Sequence, residues 1–409
     1  MTPTLALLAA ALAASPNVVH FDAIVVDGHV DVPMNILALG LDPADPGDAP
    51  GCFPAGFAEL RTEADAKRPW CTQFDFARAK RGGMDAAFFS IWIDPAYVEK
   101  SPREGGGAAR RAFDMIAATR AAIAKHPDLA VLATTAADVR RAAAQGKLAV
   151  LLGIEGGHAI ENSVALLETF HAQGVRYLTL THTNTNDWAD SSGDVGKTGV
   201  VRHGGLTEHG REIVRAMNRL GMLVDVSHVS DETFRDVVET TRAPIIASHS
   251  SSHALTAHPR NVTDEMAHAI AKNGGVVMVN FNEPFVGVGP DEMPAEAKAK
   301  QAALDAEHGK GARSERAFLE WRAEHWPAVP LSRLADHVMH LVEVAGVDHV
   351  GLGSDFDGVT LLPRGMEGVD KLPALTEALA ARGLSDADLR KVLGGNTLRV
   401  LEEAQRLAE

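Results

Sequence analysis

The chain has 409 residues, 46% of them hydrophobic and 23% charged, which is enough for one large domain or two ordinary ones and too apolar for wholesale disorder. Lys plus Arg number 39 against 54 Asp plus Glu, a formal net charge of −15, and an acidic chain without a basic block is a poor candidate for binding a phosphate backbone, so no nucleic-acid partner is expected. Two cysteines make neither a disulfide framework nor a thiolate metal cluster, whereas 18 histidines, many beside acids at the ends of apolar runs, direct the search to metal chemistry.

The first feature in chain order is the unbroken apolar run from Leu5 to Ala14. It is about half the length of a membrane span, so no integral span is expected. Ala11-Leu12-Ala13 would serve as a small-residue cleavage site, although the usual basic n-region is missing. Residues 1–19 are therefore expected to be a secretory leader and residues 20–409 a single domain, periplasmic or secreted. The alternative is a frayed Ala-rich segment on a cytoplasmic protein. Cys52 and Cys71 could pair in an exported chain, but nothing in the sequence demands it.

Eight short apolar runs follow, most of them with a helical pattern behind. They are "AIVVDGHVD" from Ala23, "MDAAFFSIWI" from Met84, "LAVLLGIEGGH" from Leu148 and "VRYLTLTH" from Val175. Then come "MLVDVSH" from Met222, "PIIASHS" from Pro244, "GGVVMVNFN" from Gly274 and "HVGLGSDFDG" from His349. Most are continuously apolar rather than alternating, as parallel strands covered on both faces should be. Between them, Thr207 and Ser230 stand where helix N-caps belong, and the "AQG" closing the helix after Glu161 suits a C-cap. Eight strand-then-helix units predict a (β/α)8 TIM-like barrel. An open doubly wound sheet is the runner-up, but "DGHVDVP" is not the glycine-rich phosphate turn it would need.

Two stretches break the alternation. Met34 to Phe74 is rich in Pro, Gly and Asp and lies on the catalytic side of such a barrel. Val286 to Pro330, between strands seven and eight, is strongly charged and predicts an added helical excursion. It could act as a lid or subunit contact, or be a solvated helix without a role.

Reactive residues of a barrel sit at the C-terminal ends of its strands. Strand one ends in His29 and Asp31, which strict alternation would place on one face. Strand three ends in Glu155, strand four in His182, strand five in His228, strand six in His249 and strand eight in Asp355. One such histidine alone is more often a satisfied core residue. Seven polar groups converging on one rim predict a metal site. Imidazole plus carboxylate without thiolate suits zinc, manganese or iron, with zinc preferred. The donors suffice for two ions: His29, Asp31 and Glu155 for one, and Glu155, His228 and His249 for the other, with Glu155 bridging. Such a pair lowers the pKa of a shared water from about 15.7 towards neutrality. Asp355 then fits as general base. Asp357 should point the other way, as a supporting or turn acid.

The motifs "DGHVD", "GIEGGH", "RYLTLTH" with "DWAD", "DVSH", "ASHSS", "RNVTD" and "GLGSDFDG" resemble, in order, those of the renal (membrane) dipeptidase family of binuclear zinc peptidases. The resemblance covers about Val26 to Asn396. It implies His29, Asp31, Glu155, His228 and His249 as zinc ligands and Asp355 as acid/base. It implies that His182 steadies the tetrahedral oxyanion and that Arg260 binds the free carboxylate of a dipeptide, often one with a D-residue at its C-terminal position. It also implies a homodimer. Asn282 departs from the pattern, standing where some members carry an aromatic hydroxyl. Asn186, Trp188 and Asp190 are expected to order the loop after strand four. Independently of the resemblance, a single guanidinium suits a small monoanion better than a polyanionic phosphate. Two alternatives remain open: a metal-dependent phosphoesterase on the same barrel, and a catalytically idle binding protein. Arg260 could also be a surface arginine paired with Asp264.

Overall fold

A computed structural model describes residues 15–99, 107–288, 293–326 and 328–409. The apolar run from Leu5 to Ala14 lies outside the described residues. The boundary expected at residue 19 falls inside a helix, Pro16–Asp22, which is capped by Ser15 and buries Val19 and His20.

Each of the eight apolar runs contains a strand: β1 (Val25–Val30), β2 (Met84–Trp92), β3 (Leu148–Glu155), β4 (Val175–Thr179), β5 (Leu223–Asp225), β6 (Ile246–Ala247), β7 (Val276–Val279) and β8 (Val350–Leu352). Consecutive strands pair in parallel, and β8 pairs with β1 at Leu352 and Asp27, so the sheet closes into a barrel. Alternation along the strands sorts the apolar side chains into two layers. Phe88, Leu151, Tyr177 and Met278 belong to one cluster, whereas Phe89, Leu152 and Leu178 pack in another with helical residues such as Ile116, Leu167 and Ile213. Tyr177 has room because residue 153 is glycine: a Cβ there would lie 2.0 Å from the tyrosine ring.

The helices between strands begin where their caps predict. Thr207, Ser230 and Thr263 each accept a backbone N–H from three residues on, satisfying a donor that the first turn cannot. The departures from simple alternation are also present. Within the Met34 to Phe74 stretch, Phe53–Pro54 pairs with Trp70–Cys71, and Cys52 and Cys71 form a disulfide. A short strand, Ala130–Leu132, extends the sheet beside β3 outside the barrel. The expected excursion between β7 and β8 is a hairpin of two helices, Ala295–His308 and Ala312–His325.

Candidate active site

The polar groups predicted at the strand ends meet at one rim. Trp92, Glu155, Thr179 and Asp225 are in register across β2 to β5, which brings the loop starts beyond them to one level. His29, Glu155 and His249 form one group with ligand atoms within 4.8 Å of each other. Glu155, His182 and His228 form a second, and His29, Asp31 and Asp355 a third. Glu155 stands between them. Its Oε2 is 3.4 Å from His29 Nε2, while its Oε1 is 2.9 Å from His228 Nε2 and 3.4 Å from His249 Nε2. His182 is set back, with Nε2 3.9 Å from Oε1.

Three of these side chains arrive by routes other than plain strand alternation. β1 ends at Val30, and Asp31 stands at the N-cap position of the helix Val32–Leu39 with φ −96° and ψ 26°, its side chain making no capping hydrogen bond. Its carboxylate still turns back to within 3.4 Å of His29 Nε2. His228 and Asp355 have φ of 71° and 66°, the left-handed region that side-chain-bearing residues rarely occupy and that clusters at functional sites. Asp357 also has a positive φ, 68°, and its Oδ1 accepts the Gln73 N–H at 2.6 Å. It therefore ties the Met34 to Phe74 stretch to the β8 loop, the supporting role expected of it.

The donors are aimed by a layer of groups behind them. His29 Nδ1 lies 2.8 Å from the Tyr177 hydroxyl. His249 Nδ1 lies 2.8 Å from Ser248 Oγ, whose own proton goes to Asp225 Oδ2 at 2.6 Å. With that hydroxyl accepting from Nδ1, His249 Nε2 presents a bare lone pair. It faces His228 Nε2 at 2.9 Å. Ser90 donates to Glu155 Oε2 at 3.1 Å, and Asn280 Nδ2 donates to Asp355 Oδ2 at 2.9 Å. Tyr177, Ser248, Asp225, Ser90 and Asn280 were not singled out from sequence as parts of the site. They sit within or beside the quoted strand motifs, but only the fold shows which donor each one holds.

Electrostatics agree with a cation site. Burial lowers His249 to about 4 and places His228 well below the usual imidazole range, so both rings are neutral and able to ligate. Burial works to raise Glu155, but the charge of His29 and the close approach of His228 and His249 hold it well below the ordinary carboxylate range. Burial raises Asp355, and the charges of Asp31 and Glu155 add to the rise. His29 Nε2 is buried without a hydrogen-bond partner. A lone-pair cluster of this kind is costly unless paired or coordinated, so the residues present fit a divalent metal. Against the effect of burial, Tyr177, Glu155 and Asp31 raise His29 well above the usual imidazole range, so this cluster of carboxylates already draws a positive charge to the place a metal would occupy. Imidazoles aimed from behind, with anionic oxygens among them, are the donor set expected for it.

A cleft of about 520 Å³ opens over these groups and is also lined by Met34, Trp92, His258, Arg260, Asn282 and Phe285. Arg260 is not the surface arginine of the alternative reading. It is 8% exposed, and Asp264 pairs with His340 at 2.8 Å instead. Burial lowers Arg260 to about 10, which leaves it charged at neutral pH. Its Nη atoms reach Ser250 Oγ at 3.3 Å and the His249 carbonyl at 3.2 Å, and its Nε has no partner. Asn186 and Asp190 do order the loop after β4. Asn186 Oδ1 accepts from Trp188 and Ala189, and Asp190 from residues 203–205.

Comparison with known proteins bears on this arrangement. The family model described as membrane dipeptidase (peptidase family M19) matches residues 14–409. The chain is 37% identical over 338 residues to the dipeptidase aclJ of Aspergillus oryzae, covering 82% of this chain and 71% of the relative. Among solved structures it is similar to the probable dipeptidase PvdM of Pseudomonas aeruginosa, with TM-score 0.77 and 26% identity over 96% of this chain and 98% of that one. It is also similar to a metallopeptidase from Rhodobacter sphaeroides liganded with a phosphinate mimic of the dipeptide L-Ala-D-Ala, with TM-score 0.68 and 27% identity over 94% of this chain and all of that one.

Proposed function

Since the chain belongs to the membrane dipeptidase family and is a metal-dependent dipeptidase, we propose that it works with two zinc ions, one held by His29, Asp31 and Glu155 and the other by Glu155, His228 and His249. The observation that carries this reading is the placement of Glu155, with one oxygen towards His29 and the other towards His228 and His249. Divalent ions bound there supply Lewis acidity, making water nucleophilic near neutral pH and polarising a carbonyl.

The chain's own groups do the rest. Asp355, held by Asn280, accepts the proton of the attacking water and returns it to the leaving amine. Its raised pKa favours the second half of that shuttle. His182, neutral and bordering the cleft, donates to the oxygen on which negative charge develops. Arg260 binds the free carboxylate one residue beyond the scissile bond. Its fork geometry orients the substrate and limits its length. Met34, Trp92 and Phe285 give the remainder of the cleft an apolar surface.

The test is a panel of L-L, L-D and D-D dipeptides offered to the zinc-loaded protein, with an aryl phosphate ester as comparator. Faster turnover of the phosphate ester than of every dipeptide overturns the reading.

Export is part of the same proposal, with cleavage after Ala13. Disulfides persist in oxidising compartments, and the Cys52–Cys71 pair supports this placement. Among the described residues, no helix is long and apolar enough to cross a membrane. N-terminal sequencing of the exported protein checks the cleavage point.

A further inference from the structure

The helical hairpin between β7 and β8 contributes no group to the candidate metal site, yet one of its side chains reaches the back of the cleft wall. The hairpin has its own small apolar cluster, Ala297, Leu304 and Phe318, separate from the barrel core. Several of its links to the rest of the molecule are exposed and polar, such as Thr360 Oγ1 to Glu315 at 2.8 Å and the Ala312 N–H to Glu59 at 3.3 Å. Arg322 is different. It is 6% exposed and makes an ion pair with Glu283, which is 2% exposed. Arg322 Nε and Glu283 Oε2 have no hydrogen-bond partner, and beside Glu283 the guanidinium meets the Trp326 ring, its carbon 4.3 Å from the centroid, so the charge of Glu283 depends chiefly on Arg322. Desolvation largely offsets the attraction in such a pair, which makes it a weak source of stability. Its definite effect is to fix where Glu283 sits.

Glu283 opens the short helix Glu283–Val286, and its neighbours Asn282 and Phe285 line the cleft. Two contact paths lead from this segment to the chemistry. The Asn282 N–H donates to Asn280 Oδ1 at 2.6 Å, which orients the carboxamide so that Nδ2 donates to Asp355 at 2.9 Å. The Phe285 ring lies 4.4 Å from the His258 ring and 5.6 Å from the Arg260 guanidinium carbon, within cation–π range. The Phe285 carbonyl also accepts from Asn261 Nδ2 at 2.8 Å.

Resting on the dipeptidase function above, we propose that Arg322 is a positioning residue of the substrate cleft: from the inserted hairpin it anchors Glu283 and so holds Asn282 and Phe285 against Asp355 and Arg260. The excursion is then neither a solvated appendage nor a subunit contact alone. It is a brace for the side of the cleft that reads the substrate carboxylate.

The test compares full-length, metal-loaded wild type with Arg322→Met, Arg322→Lys and the double variant Glu283→Gln/Arg322→Met. For each, kcat and KM are measured on a dipeptide and on its C-terminal amide, beside melting temperature and metal content. Misplacement of binding groups by about 1 Å can cost about 10²-fold, so Arg322→Met should raise KM for the free acid at least roughly tenfold. KM for the amide should change far less, kcat should fall on both substrates through the Asn280–Asp355 path, and metal content should stay at the wild-type level. Arg322→Lys should recover part of the loss. The double variant, which leaves no orphaned charge, should regain stability without regaining the acid-over-amide preference. If Arg322→Met does not fold, the other two variants carry the same comparison. A wild-type acid-over-amide ratio in the double variant overturns the proposal, because the pair would then only tether the hairpin. Wild type that leaves dipeptides intact would overturn the function itself, a distinct outcome.

Discussion

The Tyr177 hydroxyl lies 2.8 Å from Nδ1 of His29, inside the barrel and wholly shielded from solvent. This contact directs the other ring nitrogen, Nε2, towards Asp31 and Glu155. Partners of this kind hold a ligating imidazole in its tautomer and orientation, and losing one typically costs about 10–100-fold in metal affinity or activity. Tyr177→Phe keeps the ring that fills the space over Gly153 and removes only the hydroxyl. Competition with a chromogenic chelator should show weaker binding by that factor, while the melting temperature of the metal-free protein stays close to wild type.

Dialysis against a strong chelator should abolish dipeptide hydrolysis, and added zinc should restore it. Elemental analysis of the reloaded protein should approach two ions per chain. Full activity in a sample verified to be metal-free would sink the mechanism.

Asp355→Asn separates proton transfer from binding. The amide keeps the shape and can still meet Asn280, but it cannot take a proton. Turnover should fall by about 10²–10⁴-fold with KM and metal content little changed. Glu155→Gln should behave differently, losing metal first because Glu155 faces both groups of histidines. Near-normal turnover in Asp355→Asn would send the search for the base elsewhere.

Arg260 governs substrate length. Truncating one partner of a buried charged hydrogen bond costs about 2–5 kcal/mol, so a C-terminal amide should be cleaved more than tenfold more slowly than the free dipeptide by wild type. Arg260→Ala should penalise the free acid and leave the amide almost unaffected. Equal kcat/KM values for acid and amide on wild type would show that Arg260 does not read the carboxylate.

Gly358 is exposed, a setting in which substitutions usually change stability by no more than about 0.5 kcal/mol. Here a Cβ would lie 2.1 Å from Asp31 Oδ2 and 2.5 Å from Asp355 Oδ1. Gly358→Ala should therefore fold with a near-normal melting temperature yet lose metal and activity together. A fully loaded, active Gly358→Ala would show that the loop gives way more easily than its contacts indicate.

The barrel and the polar groups at its rim were legible because both signals are local. A strand buried on both faces reads as a continuous apolar run, and six of the eight runs here end at a histidine or acid that stands at the rim. The caps at Thr207 and Ser230 were legible for the same reason: donor and acceptor lie three residues apart. Strand alternation, also a local rule, failed as soon as the strands ended. Asp31 reaches His29 from a helix cap, and His228, Asp355 and Asp357 turn through left-handed backbone that neighbouring loops must hold in place.

What the sequence by itself determined, then, was the order of eight strands and the chemical types waiting at their ends. Only the tertiary structure decided which oxygen of Glu155 faces which histidine, that Arg260 is buried over the cleft and leaves Asp264 to His340, and that Arg322 meets Glu283. The physical reason is that these depend on contacts between residues far apart in the chain, Tyr177 and His29 being 148 positions apart and Arg322 and Glu283 39. Their energies arise from exclusion of water and from fixed geometry, and neither exists until the barrel has closed.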